Sequence, residues 1–174
     1  MIAVSDTCFL IDWARFSLRD CIFSLFNKIL IPKQVLDEIA SSTTVDFLSN
    51  YMARGKLVYY EPTQDLMREA DELVRKSIEL SYLRRIDLPE AICLTLGKRY
   101  GYVVLTENLG AFAITKVDES FKNVRVWRSL EVLIEAYKVK AIKGDIEEIL
   151  KRYSEETKHI FDDGEVKRMI SCLK

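Results

Sequence analysis

The sequence predicts an α/β domain of three layers, α/β/α, with a short parallel central sheet and additional C-terminal helices. Three observations lead there. Short apolar, β-prone runs at 2–4, 28–31, 57–60, 102–105 and 124–127 alternate with helical patterns, as a parallel sheet covered on both faces requires. The stretch from Ile86 to Phe112 carries one complete unit: a helix, a reversal at Tyr100 and Gly101, an apolar strand and a polar exit. Acidic or amide side chains also recur just past strand ends, where open α/β sheets bind their ligands.

Taken in order, Ile2–Val4 is an apolar run closed by Ser5 and Asp6, and the helix that follows spaces Phe9, Leu10, Trp13 and Phe16 along one side. A second helix is expected over Leu18–Phe26 and a strand over Lys28–Ile31. Pro32 opens the helix PKQVLDEIASS, with Val35, Leu36 and Ile39 inward and Glu38 on their flank. A short helix covers Thr43–Met52 and breaks at Gly55. The run Leu57–Tyr60 is continuously apolar, which predicts a strand covered on both faces. Pro62 and Thr63 begin a long helix to about Tyr82, with Leu66, Ala70, Leu73, Val74, Ser77, Ile78 and Ser81 in its packing stripe. After Phe112 a helix continues to about Glu119, Val124–Trp127 is the last strand, and Ser129 precedes an amphipathic helix. Domain boundaries are expected at 1–140 for the α/β unit and 141–174 for a helical extension with amphipathic segments at Asp145–Tyr153 and Gly164–Leu173.

Composition excludes several classes. The 174 residues are enough for one domain with a sizeable core, and 49% hydrophobic with 30% charged residues describes a globular chain. No uninterrupted apolar run is long enough to span a membrane, and MIAVSDTCFLID lacks the basic start of a secretory signal, so a cytoplasmic protein is expected. Cys8, Cys21, Cys93 and Cys172 are too scattered for a zinc ribbon, and the chain has a single histidine, His159, with no evident acidic partner or nucleophile in the sequence. A net charge of -1 argues against nucleic-acid binding by bulk charge while leaving room for a local basic rim.

The candidate site gathers from these strand exits. Asp87 and Glu90 share one helical face, three residues apart. The same residues read as a helix start, with Asp as cap and Glu as its reciprocal partner, and Asp6 reads as a helix cap in the same way. In the predicted fold, however, Asp6, Glu38, Asp87, Glu90, Glu107 and Asn108 converge on one sheet edge with no basic residue between them. Their mutual repulsion calls for a cation, and an oxygen-rich, nitrogen-poor donor set suits Mg²⁺ or Mn²⁺.

Asp6 within Ser5-Asp6-Thr7, the Pro-led helix with Glu38, an acid on the helix before Gly101, and Thr106-Glu107-Asn108 with Phe112 four residues on resemble a PIN domain over roughly residues 1–140. Within that family the chain is most similar to VapC-type toxin ribonucleases and their prokaryotic relatives. The resemblance implies that Asp6 is the first metal-binding Asp, that Glu38 is the acid of the second cluster, and that Glu90 holds the third acid's place, where Asp is usual. It makes Asp87 an extra acid found in some members. Asn108 stands where members carry Asp or Asn, with Glu107 beside it, and Asp12 lies on the helix flank.

The implied activity is metal-dependent endoribonuclease cleavage of RNA phosphodiesters. Asp6, Glu90, Glu107 and Asn108 are its metal ligands; Thr7 and Thr106 orient ligands or touch phosphate, and Arg85, with Arg54 and Lys116, contacts the RNA backbone. The resemblance further implies a homodimer and an antitoxin protein as partner. The alternative is a PIN-like binding module with a weakened site. A haloacid-dehalogenase-like phosphatase fails because position 8 is Cys rather than Asp, and a receiver-like domain fails because Glu61 and Arg128 stand where Asp and Lys are needed.

Overall fold

The computed structural model describes residues 1–79 and 84–173. Five parallel strands, β1 (Ile2–Ser5), β2 (Lys28–Pro32), β3 (Leu57–Tyr60), β4 (Val103–Leu105) and β5 (Val126–Trp127), form one sheet in the order β3-β2-β1-β4-β5. The predicted three-layer α/β/α architecture is the one observed. The chain builds outward from β1 through β2 to β3, then returns to the other side of β1 for β4 and β5. The reversal falls between β1 and β4, whose register pairs Ser5 with Leu105. A crevice at such a switch point is where doubly wound sheets place their ligands.

Around the sheet run α1 (Thr7–Arg15), α2 (Lys33–Asp37), α3 (Ser42–Ala53), α4 (Gln64–Glu79), α5 (Leu88–Tyr100), α6 (Leu109–Val117), α7 (Ser129–Lys138), α8 (Ile146–Thr157) and α9 (Asp163–Ser171). Helix α5 is the central one: Ala91 to Gly97 are all buried, which is why its sequence shows little amphipathic contrast. It ends at Gly101 in the left-handed conformation, φ 69°. At Gly97 the helix lies so near the sheet that an added Cβ would meet Val104 Cγ2 at 2.6 Å and Val124 Cγ1 at 2.9 Å.

Several local expectations are corrected. The β3 strand is not covered on both faces: it is the sheet edge, and Tyr59 is 49% exposed. An apolar run cannot itself distinguish a central strand from an edge strand, here one whose Tyr59 hydroxyl donates to Glu61 at the surface. The expected helix Leu18–Phe26 is a 3₁₀ helix over Arg19–Ser24, tied back to α1 where Trp13 Nε1 donates to the Arg19 carbonyl at 3.0 Å. The helix opened by Pro32 stops at Asp37, with Glu38 as its C-cap. The helix after Phe112 ends at Val117, because Asp118 turns extended and accepts from the Ser120 N–H at 2.9 Å, starting a new 3₁₀ turn over Glu119–Phe121. In α4, Leu66, Ala70, Leu73 and Ser77 are buried while Ile78, one residue further round, is 48% exposed. Ser81 and the helix end expected near Tyr82 lie outside the described residues.

The sequence changes character near residue 140, yet one hydrophobic core runs across that point. Ile142, Ile146, Ile149, Leu150 and Tyr153 belong to the same cluster as Val4, Phe9 and Trp13. Tyr153 has no exposure and packs against Trp13 and Phe16 with ring centroids 5.6 and 5.0 Å away. Helix α9 buries no residue fully. Among the described residues no helix is long and apolar enough to cross a membrane.

Because α5 both spans the core and carries Asp87 and Glu90 at its start, its seat on the sheet sets the height of those acids. Gly97→Ala is expected to lower unfolding free energy by about 1–3 kcal/mol through overpacking against Val104 and Val124. Urea denaturation checks this, and an unchanged midpoint would mean that the helix has slack to move.

Candidate active site

The site begins with Asp6, one residue past β1. Its backbone N–H donates to the Leu105 carbonyl at 3.0 Å, continuing the β1–β4 ladder, and its side chain then turns into the crevice. Oδ1 accepts from the Phe9 N–H at 2.8 Å and so caps α1; Oδ2 accepts from the Thr106 hydroxyl. Asp6 and Thr106 both have no solvent exposure. The cap reading of Asp6 therefore holds, and it holds at a place where capping alone would not require burial.

Thr106 extends the connection. Its Oγ1 accepts from the Asn108 N–H at 3.0 Å, and Asn108 Nδ2 donates to Glu90 Oε1 at 3.2 Å. Glu90 Oε2 accepts from the Asp87 N–H at 3.3 Å, the reciprocal half of a capping box. One hydrogen-bonded chain thus joins the exits of β1 and β4 to the start of α5, through Asp6, Thr106, Asn108 and Glu90. Asn108 Oδ1 is spent on the Gly110 N–H at 2.8 Å, capping α6, so both ends of its amide are committed. Thr7, the first residue of α1, donates from Oγ1 to Glu38 Oε2 at 2.5 Å and brings that exposed acid beside the crevice. Asp87 and Arg85 are exposed at the entrance to α5.

Glu107 stands apart from this chain. Its Oε1 accepts from the Ser129 N–H at 2.8 Å and the Ser129 hydroxyl at 2.5 Å, at the start of α7, where the helix dipole favours a negative charge. Its Oε2 lies 3.5 Å from His159 Nε2, and Asp12 Oδ2 lies 3.5 Å from the other ring nitrogen. His159, without an acidic partner in the sequence, has two in space, and Asp12 on the helix flank is one of them. A cleft of about 360 Å³ opens here, lined by Glu107, Arg84, Arg128, His159, Ile160 and Phe161 among others. The sequence set Asp12 on a helix flank, left His159 without a partner and gave Ser129 and Tyr153 no place in the site, since each is separated from its partner by a stretch of chain that no local pattern bridges.

The electrostatics are those of an uncompensated acidic pocket. The Asp6 pKa is pushed up to about 7, first by burial and further by the charges of Glu107 and Asp87, against the hydrogen bonds from Thr106 and Phe9. The Cys8 thiol is pushed up to about 11 by desolvation and then by Asp6, Asp12, Asp87 and Glu38, so it registers four carboxylates at once. Burial raises Glu107 against the pull of Ser129 and His159, and Asp12 beside it raises His159. Among the described residues no Lys or Arg forms an ion pair with Asp6, Glu38, Asp87 or Glu90.

An all-oxygen donor set under negative potential fits a hard divalent cation in its chemistry. As arranged, the side chains hold one another: among the described residues no three His, Cys, Asp or Glu side chains converge on a common point.

A doubly wound parallel sheet with acids near its switch point belongs to the α/β proteins that bind ligands in a crevice at the strand ends. The DUF3368 family model, a PIN domain, matches residues 2–172, and the chain belongs to the PIN domain family. No curated protein matches the chain. PIN domains are typically nucleases, which implies nucleic-acid binding, and they usually use divalent metals.

The buried, raised Asp6 makes a stability prediction with a definite sign. Between pH 4 and 7 the unfolded chain has Asp6 ionised while the folded chain keeps it protonated, so stability falls as pH rises through that window. In chelator, Asp6→Asn should match wild type near pH 4 and exceed it by about 2 kcal/mol above pH 7, part of the roughly 4 kcal/mol that the shift represents. Thermal unfolding across pH checks this, and added Mg²⁺ should raise the melting temperature of the wild type only.

Proposed function

We propose that this protein is a divalent-metal-dependent endoribonuclease that hydrolyses RNA phosphodiester bonds. The observation that carries the reading is Asp6: an acid without solvent exposure, ordered by Thr106 at the β1–β4 switch point and surrounded by acids, with no Lys or Arg paired to it among the described residues. Such an arrangement costs stability unless a positive charge enters, and folds keep costly charge clusters where chemistry uses them.

Mg²⁺ or Mn²⁺ would be held by Asp6 and Glu90, with Glu107 contributing Oε2, the oxygen that Ser129 does not take. Bound there, the ion supplies a water of lowered pKa and charge stabilisation for the phosphorane oxygens. Thr106 orients Asp6, and Asn108 holds Glu90 through its Nδ2 rather than offering its capped oxygen. Glu38, steadied by Thr7, and Asp87 flank the site as further acids. Arg84 and Arg85, exposed just before α5, form a rim for RNA phosphates. The resemblance to VapC-type toxins makes a small antitoxin, a homodimer and a cytoplasmic setting parts of the same reading.

The committed amide of Asn108 favours a second reading, a PIN-like module that binds without cutting, and one experiment separates the two. Structured and single-stranded RNAs are incubated with Mg²⁺ or Mn²⁺ and wild type, Asp6→Asn or Glu90→Gln. Metal-dependent cutting by the wild type and a loss on the order of a hundredfold or more in both variants is expected. A wild type that cuts none of them, and binds neither ion by calorimetry, leaves the binding module as the answer.

A further inference from the structure

We propose that His159 is a positioning residue of the active site, spanning the Asp12 and Glu107 carboxylates so that Glu107 is held at the carboxyl edge of the sheet; the catalytic part of this inference rests on the nuclease reading above. Nδ1 lies 3.5 Å from Asp12 Oδ2, and Nε2 lies 3.5 Å from Glu107 Oε2. With one ring nitrogen facing each carboxylate, the imidazole stands between two acids that would otherwise face each other directly. It does for Asp12 and Glu107 what no Lys or Arg does among the described residues.

The ring is itself held in place. The His159 backbone N–H donates to Thr157 Oγ1 at 3.1 Å, and the Thr157 hydroxyl donates to the Tyr153 carbonyl at 2.8 Å. Phe161 packs against the imidazole with centroids 4.8 Å apart. Helix α8 is anchored by buried Tyr153 and by Glu156, whose carboxylate accepts from the Ser17 N–H at 2.7 Å. Tyr153 reaches Glu107 from the other side as well. Its hydroxyl lies 2.5 Å from Ser129 Oγ, and since the single Ser129 proton goes to Glu107 Oε1, the tyrosine must be the donor.

Both oxygens of Glu107 are therefore oriented by groups that depend on the C-terminal segment, Oε2 directly by His159 and Oε1 through Ser129 backed by Tyr153. Partners of this kind, which orient a ligand without touching substrate, govern affinity and rate strongly. Residues beyond 140 then complete the site.

The test uses the full chain with His159→Ala and His159→Gln, the latter keeping volume should the former fail to fold. Three quantities are read: the carboxyl ¹³C resonance of Glu107, assigned with Glu107→Gln; Mn²⁺ affinity by calorimetry; and kcat and KM for single-stranded RNA. The Glu107 resonance should move in both variants. Mn²⁺ affinity and kcat should fall on the order of tenfold to a hundredfold, with KM changed about twofold or less. Added imidazole should restore part of kcat in the alanine variant, which loss of a merely structural contact would not allow. An unmoved Glu107 resonance overturns the inference, and so does a moved resonance with wild-type kcat and Mn²⁺ affinity. If wild type cuts no RNA while the resonance still moves, the nuclease reading fails and the hold of His159 on Glu107 stands.

Discussion

A carboxylate with no solvent exposure, placed where two neighbouring parallel strands end, constrains everything around it. Asp6 can be tolerated there only because the Phe9 N–H and the Thr106 hydroxyl each take one of its oxygens. Those two donors tie the start of α1 and the exit of β4 to the same side chain. The chain from Thr106 through Asn108 to Glu90 then carries the constraint to the start of α5, whose close seat on the sheet leaves no room for a Cβ at Gly97. Three crossovers of the fold meet at one acid.

Helix capping and site chemistry are not competing explanations here. Asp6, Asn108 and Glu90 all cap backbone donors, Asp6 and Glu90 as their positions in the sequence suggest and Asn108 as the structure adds. The same caps immobilise the side chains, and an immobilised acid is what a preorganised site requires. What capping alone leaves unexplained is the charge. Four carboxylates raise the Cys8 thiol together, and none of Asp6, Glu38, Asp87 and Glu90 has a basic partner among the described residues.

Two neighbouring acids meet different fates within this one crevice. Glu90 is held by an amide and a backbone N–H, so its charge stays uncompensated. Glu107 accepts from Ser129 at the start of α7 and faces the His159 imidazole, which follows α8 in the chain. Helix α8 brings that imidazole into place by burying Tyr153 in the central core, so packing away from the crevice decides what Glu107 meets.

The alternation of strands and helices, the acids at the strand exits and the family they resemble are legible in the sequence alone, because each is written in short-range periodicity and local spacing. It also named Asp6, Glu38, Asp87, Glu90, Glu107 and Asn108 as candidates, but not which of them touch. Edge and central strands read alike in an apolar run, so the exposure of Tyr59 on β3 could not be foreseen. The shortened helices after Leu18 and Phe112 were decided by the Trp13 bond to Arg19 and by the Asp118 cap, each a competition between local propensity and a specific partner. Only the tertiary structure set β1 beside β4, joined Asp6 to Thr106 across 100 residues and brought His159 between Asp12 and Glu107. Contacts of that range depend on strand order and core packing, which are properties of the whole chain and leave no signature in any window of it.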